Sequence, residues 1–221
     1  MERTLFTIGI LFLANFCHSQ EINSRFHIDA GYGLAGSFFV RTVTEMPPFE
    51  APGYREFSRK KFVGNAQNIS IGYRLNERYL LKGGIHYQHF TRRVQVNQML
   101  GPVSLTIDKS IHHRDYMYYG GINRLYLKKK AVLSGGLGLY FLASKMENIQ
   151  FGSGNPSFYN NYETTLNNSP KNLEMGAFSE FSYEYKFQTK VNLGVKAQFY
   201  FTVSAMYAES VALLPFIKIN F

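Results

Sequence analysis

The chain ends on the stretch Val211-Ala-Leu-Leu-Pro-Phe-Ile-Lys-Ile-Asn-Phe221. Residues counted back in twos from Phe221 form an unbroken apolar row, whereas the alternate row mixes apolar side chains with Lys218 and Asn220. Strict alternation over such a length is typical of a β-strand whose two faces meet different surroundings. The stretch therefore predicts a closing strand with one face against lipid or core and another that tolerates charge.

The same period of two recurs along the chain, with large apolar side chains on one face and small or polar ones on the other. Seven further segments show it, at about residues 25–39, 62–75, 79–96, 111–126, 131–144, 173–186 and 190–201. A soluble barrel or sandwich would direct its bulky face inward, but the opposite face here is rich in Gly and Ser, which suits a narrow lumen. The pattern predicts an all-β fold, a transmembrane antiparallel up-and-down β-barrel of eight strands.

Composition and connection lengths agree with this prediction. The chain has 20 Phe, 16 Tyr and 19 Gly but no Trp, and alternating strands explain a mean hydropathy of only -0.19. Connections are long after the first, third and fifth predicted strands and short after the second, fourth and sixth, as in barrels with short turns on one side of a membrane. Outward aromatic residues at the strand ends predict two girdles, formed by Phe26, Tyr73, Tyr79, Tyr185 and Phe221 and by Phe38, Tyr87, Tyr116, Phe141 and Phe199.

The first twenty residues have the order of a cleavable secretory signal. Arg3 precedes an apolar run from Leu5 to Phe16, and polar residues follow up to Gln20. Cys17 is the only cysteine and follows the bulky Phe16, which favours a plain cleaved signal over lipidation. We therefore expect a signal peptide over residues 1–20, a barrel domain over residues 21–221 without a disulfide, and no transmembrane helix.

In these features the segment 21–221 resembles the small outer-membrane β-barrels of Gram-negative bacteria, of the porin family and the outer-membrane protein A type. The resemblance implies an outer-membrane location and recognition of the terminal Phe221 by the barrel-assembly machinery. It implies a structural or surface-recognition role, without enzymatic activity and without a cofactor. A periplasmic wall-binding domain is lacking, so anchoring to the wall is not implied.

The predicted inward rows carry three charges of each sign: Asp29, Lys82, Glu180, Glu184, Lys196 and Lys218. Lys196 lies on the strand next to that of Glu180 and Glu184, and Lys218 lies next to Asp29 across the barrel closure. An eight-stranded lumen is about filled by its own side chains, and buried charges are tolerated when they are paired. These residues predict a lumen filled by ion pairs; the alternative is a narrow gated pore in which the pairs exchange.

A second alternative is a lipid A-modifying enzyme of the outer membrane. Ser110, His112 and Glu147 have the composition of a Ser/His/acid set, but Ser precedes His, which reverses the deacylase order, and the residues lie beyond the predicted girdle. A metal cluster of His86, His89, His112 and His113 is disfavoured because adjacent strand residues face opposite ways. We expect neither a catalytic set nor a metal site.

The net charge of +9 would fit nucleic acid, but export favours anionic lipid surfaces instead. Basic residues on the outer side are expected to contact lipopolysaccharide phosphates: Arg59, Lys60, Lys61, Arg92 and Arg93. The Asn-, Ser- and Tyr-rich stretch 145–172 has the composition of a recognition loop and equally that of a disordered loop. We expect a monomer that has membrane lipid, lipopolysaccharide and the assembly machinery as partners, and no nucleic acid.

Overall fold

The computed structural model describes residues 25–38, 54–55, 63–100, 103–127, 130–151, 162–167, 174–188, 190–203 and 207–221. Within these ranges there is no α-helix long and apolar enough to cross a membrane. The predicted signal peptide and Cys17 fall outside them, so both stay predictions.

Eight long strands and two short ones make up the described chain. The long strands are β1 (Phe26–Ser37), β3 (Val63–Arg74), β4 (Tyr79–Leu100), β5 (Val103–Leu127), β6 (Ala131–Phe151), β8 (Glu174–Lys186), β9 (Val191–Thr202) and β10 (Tyr207–Asn220). The short strands are β2 (Tyr54–Arg55), which pairs with β4, and β7 (Tyr162–Asn167), which pairs with β6.

The long strands form a closed antiparallel barrel. Each pairs with the long strands before and after it, and β1 closes the ring on β10, with Asp29 opposite Lys218 and Ser37 opposite Ser210. The amide of Phe221 donates to the carbonyl oxygen of Phe26 at 2.9 Å, so the last residue lies beside the first strand. The predicted eight-stranded up-and-down barrel is confirmed.

Burial alternates along the strands as the sequence predicts. Large apolar side chains point outward and stay exposed, for example Ile69 at 63% and Leu137 at 71%, while their neighbours face the lumen. So much exposed apolar surface is unusual for a soluble monomer and suits the lipid-facing band of a membrane barrel. Outward aromatics pair near both ends, as with Phe26 and Tyr73 (ring centroids 4.7 Å apart) and Tyr87 and Tyr116 (5.0 Å).

The outer end, opposite Phe26 and Phe221, differs from the prediction. Residues 97–109 were expected to form a long connection, but β4 runs to Leu100 and β5 begins at Val103, so most of this stretch is a paired hairpin. The predicted loop 145–172 likewise contains the end of β6 and all of β7. Gly101-Pro102 lies between the two strands, where its turn signal predicts a connection, but in the residues on either side cross-strand pairing outweighs local propensity.

Candidate functional site

Four charged side chains meet at the centre of the lumen and define the central cluster: Asp29, Lys82, Glu180 and Lys196. Lys82 Nζ lies 3.1 Å from Asp29 Oδ2 and 2.7 Å from Glu180 Oε1. Lys196 Nζ donates to the other carboxylate oxygen of Asp29. Since two carboxylates face two ammonium groups, the cluster is neutral and each buried charge has an oppositely charged partner, as burial requires.

Polar side chains satisfy the remaining oxygens of the central carboxylates. Ser70 Oγ donates to Asp29 Oδ2 at 2.6 Å. Glu180 accepts from Asn123 Nδ2 at 3.0 Å and from Gln198 Nε2 at 2.7 Å. The network therefore ties together β1, β3, β4, β5, β8 and β9 across the lumen.

The ion pairs do not follow the neighbours expected from strand order. Lys196 was placed beside Glu180 and Glu184 and Lys218 beside Asp29, yet Lys196 binds Asp29 and Lys218 binds Glu184 at 3.0 Å. Each pair skips at least one strand: β10 lies between Asp29 and Lys196, and β9 between Glu184 and Lys218. In a narrow, tilted barrel, long side chains lean across the lumen, so the nearest opposite charge lies beyond the adjacent strand.

The remaining two of the six lumen charges, Glu184 and Lys218, lie at the barrel mouth on the side of Phe26 and Phe221. We call them the mouth pair. Both Glu184 oxygens accept from Lys218 Nζ, at 3.0 and 3.1 Å, and Asn192 Nδ2 donates to one of them at 3.1 Å. The pair borders a cavity of about 140 Å³ that is also lined by Arg74, Lys186 and Asn220. The mouth pair is therefore next to space that water can enter, unlike the central cluster.

Aromatic side chains fill the lumen on the outer side of the central cluster and form what we call the aromatic plug: Tyr119, Tyr140, Phe178 and Tyr200. Tyr200 contacts Tyr140 edge to face with ring centroids 5.1 Å apart and stacks on Phe178 at 5.9 Å. Tyr140 and Tyr200 are 0% and 1% exposed. The plug closes the lumen above the charges.

The plug was not predicted, because the Gly and Ser residues of the inward rows indicated a lumen filled by ion pairs alone. The signal was present: Phe178 stands between inward Gly176 and Glu180, and Tyr200 stands two residues after inward Gln198. Glycine makes room for the rings, since a Cβ at Gly176 would lie 2.4 Å from Tyr140 Cε1 and one at Gly138 would lie 2.5 Å from Phe178 Cε1.

The residues considered for an outer-membrane enzyme are close together but do not form a catalytic set. His112 Nδ1 forms a hydrogen bond of 3.0 Å with His89 Nε2. The Glu147 carboxylate accepts from the backbone amide of His112 at 3.0 Å and lies 3.8 Å from Arg114, while Ser110 is exposed. A Ser/His/acid mechanism needs the acid to orient the imidazole, and Glu147 contacts the backbone of His112.

The four histidines considered for metal binding divide between the two faces, as strand alternation requires. His86 and His113 are buried in the lumen, at 0% and 4% exposure. His89 and His112 face outward just beyond Tyr87 and Tyr116 on the outer side. The pKa of His89 lies below its ordinary value, first because of burial and then because of the neighbouring His112 and Arg114. Within the described ranges, no three or more His, Cys, Asp or Glu side chains are arranged to hold a metal ion.

The proposed lipopolysaccharide contacts are only partly visible. Arg59, Lys60 and Lys61 lie outside the described residues. Arg92 and Arg93 occupy consecutive positions of β4, opposite Ile111 and Ser110 of β5, on the outer side of Tyr87. The register places both positions beyond the aromatic pair of Tyr87 and Tyr116, and their contact with lipopolysaccharide stays a prediction.

No protein-family model and no curated protein matches this sequence. The fold is similar to that of the solved Neisserial surface protein A, with a TM-score of 0.51 and 12% identity over 91% of this chain and all of that one. Another match is the attachment invasion locus protein Ail of Yersinia pestis, with a TM-score of 0.48 and 10% identity over 90% of this chain and 100% of that one. The outer membrane protease OmpT of Escherichia coli also matches, with a TM-score of 0.43 and 8% identity over 92% of this chain and 99% of that one. With its closed eight-stranded barrel and outward apolar face, the chain has the fold of the small outer-membrane β-barrel proteins.

Proposed function

We propose that the protein is a sealed outer-membrane barrel that serves as a rigid base for a recognition surface on the outer side. The observation that carries this proposal is the closure of the lumen. Glu180, Lys196, Tyr140 and Tyr200 lie at successive levels of the barrel and none is more than 1% exposed. A barrel filled in this way offers solutes no open path, so its function is assigned to the surface it displays.

The length of the outer strands supports a display function. β4 continues from the outward Tyr87 to Leu100 and remains paired with β5 throughout. At about 3.3 Å per residue and a tilt near 40°, the hairpin extends roughly 30 Å past the aromatic girdle. β2 adds to one side of this hairpin, and β6 and β7 form a second extension. Paired strands present a more rigid surface than the loops expected from composition.

Planar-bilayer recording tests the sealed lumen against the narrow gated pore. We expect no conductance steps from the purified full chain, nor from the Lys196→Ala and Glu184→Ala variants, because the aromatic plug persists when either residue is removed. Steps in the unmodified chain that change in either variant would favour the gated pore. Heat modifiability on gels serves as the folding control, because a closed barrel migrates faster when it is not boiled.

External protease tests the display function and the outer-membrane location together. Trypsin added to intact cells should cleave after Arg59, Lys60 or Lys61, which the chain places between β2 and β3 on the outer side, and leave a barrel that still shows heat modifiability. The matched control is Arg78 in the short turn at the opposite end, where we expect cleavage only after cells are permeabilised. Cleavage at Arg78 in intact cells would reverse the proposed orientation.

We further propose that outer basic residues contact the phosphates of lipopolysaccharide. Two outward cations, the half-buried Arg114 and the exposed Lys145, are opposite each other on β5 and β6 just beyond the aromatic pair of Tyr87 and Tyr116. Guanidinium groups bind phosphate through charge-assisted hydrogen bonds. Lipopolysaccharide should therefore raise the heat-modifiability midpoint of the full chain relative to zwitterionic phospholipid. The increase should be smaller in an Arg92→Ala/Arg93→Ala variant. An equal increase would show that these two residues do not contact lipopolysaccharide.

A further inference from the structure

The outward face of β4 and β5 carries two histidines at the level of the outer membrane surface. His112 is opposite Thr91 in the strand register and His89 is opposite Arg114, so the histidines are diagonal neighbours one strand apart. Their rings stack at 30° with centroids 5.1 Å apart. His89 Nε2 lies 3.0 Å from His112 Nδ1. One ring donates a hydrogen bond to the other, so two imidazole nitrogens lie side by side on the outside of the barrel.

We propose that His89 and His112 form a two-imidazole site for a divalent transition-metal ion of the copper type. Metal–imidazole bonds are about 2.0 to 2.1 Å long, so ligands at right angles on one ion are about 2.9 Å apart, whereas tetrahedral ligands are about 3.3 Å apart. The hydrogen-bonded separation of 3.0 Å lies between these two values, so one ion could replace the shared proton with little movement of either ring. Tetragonal geometry with nitrogen ligands is typical of Cu²⁺ and Ni²⁺.

The surroundings fit an exchangeable cation site. The Glu147 carboxylate is held against the backbone amide of His112 at 3.0 Å and offsets the charge of Arg114 at 3.8 Å. Thr91 Oγ1 lies 3.4 Å from His112 Nδ1 and adds a neutral polar atom. Since no third ligand side chain is arranged around the pair in the described part of the chain, water would complete the coordination. The site would therefore bind an ion reversibly and contribute little to folding.

The other described histidines do not compete for the ion. His27, His86 and His113 are buried in the lumen, with exposures of 4%, 0% and 4%. The contrast between His112 and His113 shows that strand register determines which histidine takes part, because a shift by one residue would turn His112 inward. The outward pair is thus the accessible histidine site among the described residues.

Copper titration of the untagged full chain in detergent at neutral pH tests the proposal. We expect one Cu²⁺ per chain, with electron paramagnetic resonance showing coupling to two nitrogens that changes when the protein is labelled with ¹⁵N-histidine. His89→Gln and His112→Gln should each lose one nitrogen and at least about tenfold in affinity, since even outer-shell partners of a metal ligand contribute that much. Following the general order of metal affinities, Ni²⁺ and Zn²⁺ should bind more weakly than Cu²⁺.

Arg114→Gln is the matched control, because it changes the neighbouring side chain without removing a ligand. Loss of a positive charge near the ion should leave affinity equal or slightly higher. If that variant loses affinity as the histidine variants do, the proposed ligands are wrong. Copper binding that is unchanged in His112→Gln, or a nitrogen signal insensitive to histidine labelling in the unmodified chain, would also overturn the proposal. The labelling result requires no variant to fold.

Discussion

The central cluster and the mouth pair solve the same problem, buried charge in a barrel, in two different ways. At the centre, Lys82 contacts Asp29 and Glu180, and Asp29 contacts Lys82 and Lys196, so charges are shared. At the mouth, Glu184 and Lys218 form one pair beside a cavity of about 140 Å³. The centre depends on its protein partners, whereas the mouth has space for water.

This difference predicts different responses to the loss of one partner. Removing one member of a buried charge pair is costly mainly because the remaining charge is left without compensation. Water can compensate a charge beside the mouth cavity but not at the centre, where Lys196 and Glu180 are both 0% exposed. The two sites should therefore differ in stability cost although both are ion pairs of similar length.

Asp29→Ala should have the largest effect. It leaves Lys196 without its carboxylate and removes one of the two carboxylates that contact Lys82. We expect a loss of about 3 to 5 kcal/mol in the free energy of unfolding, as for other broken buried pairs. The measurement is the urea dependence of heat modifiability in lipid. A loss under about 1 kcal/mol would mean that water reaches the centre, contrary to the burial of Lys196 and Glu180.

Glu184→Ala should have a smaller effect. Lys218 loses two hydrogen bonds to a carboxylate, but the adjoining cavity allows water to replace part of them. We expect a loss of about 1.5 to 3 kcal/mol, the range for hydrogen bonds to charged groups. The same urea series provides the comparison. A cost equal to that of Asp29→Ala would remove the distinction between mouth and centre.

The sequence predicted which charges enter the lumen but not how they pair. Alternation with period two sorts residues by face, and this placed Asp29, Lys196 and the other four charges inside. It carries no information about reach across the lumen, which depends on barrel diameter, strand tilt and side-chain length. Lys218 illustrates the limit, because its ladder neighbour is Asp29 but its ion-pair partner is Glu184 two strands away.

The length of the outer hairpin was missed for a different reason. Gly101-Pro102 lies between the end of β4 and the start of β5, as its turn signal indicates, but the residues on either side of it carry no local signal that they are paired. A long hairpin is stabilised by cross-strand partners that no local window contains. His89 and His112 were considered only within a cluster of four histidines; their pairing could not be predicted, because histidines 23 positions apart become neighbours only through the register.

Replacing the mouth pair as a unit should cost little. In the double variant Glu184→Leu/Lys218→Met neither charge remains to be compensated, and apolar side chains of similar volume can replace buried pairs without loss. We expect stability within about 1 kcal/mol of the unmodified chain. The measurement is the same urea midpoint, with Lys218→Met alone as the control that leaves Glu184 unpaired. A double variant that is no more stable than this control would show that the polar character of the mouth, with Asn192 and Arg74 nearby, requires a charge there.

The smallest predicted difference between the two sites is in how the stability cost of each substitution depends on salt. Raising ionic strength from about 0.1 M to 1 M shortens the screening length from about 10 Å to 3 Å, but only where ions and water have access. The stability difference between Glu184→Ala and the unmodified chain should therefore decrease by about a few tenths of a kcal/mol. The decrease is a fraction of the roughly 1 kcal/mol that solvent-accessible ion pairs contribute at most. The difference for Asp29→Ala should stay constant within error, because Lys196 and Asp29 are buried at 0% and 1% exposure. Parallel urea titrations at both salt concentrations make this comparison, and an equal salt response at the two sites would indicate that the cavity at the mouth is connected to the central cluster.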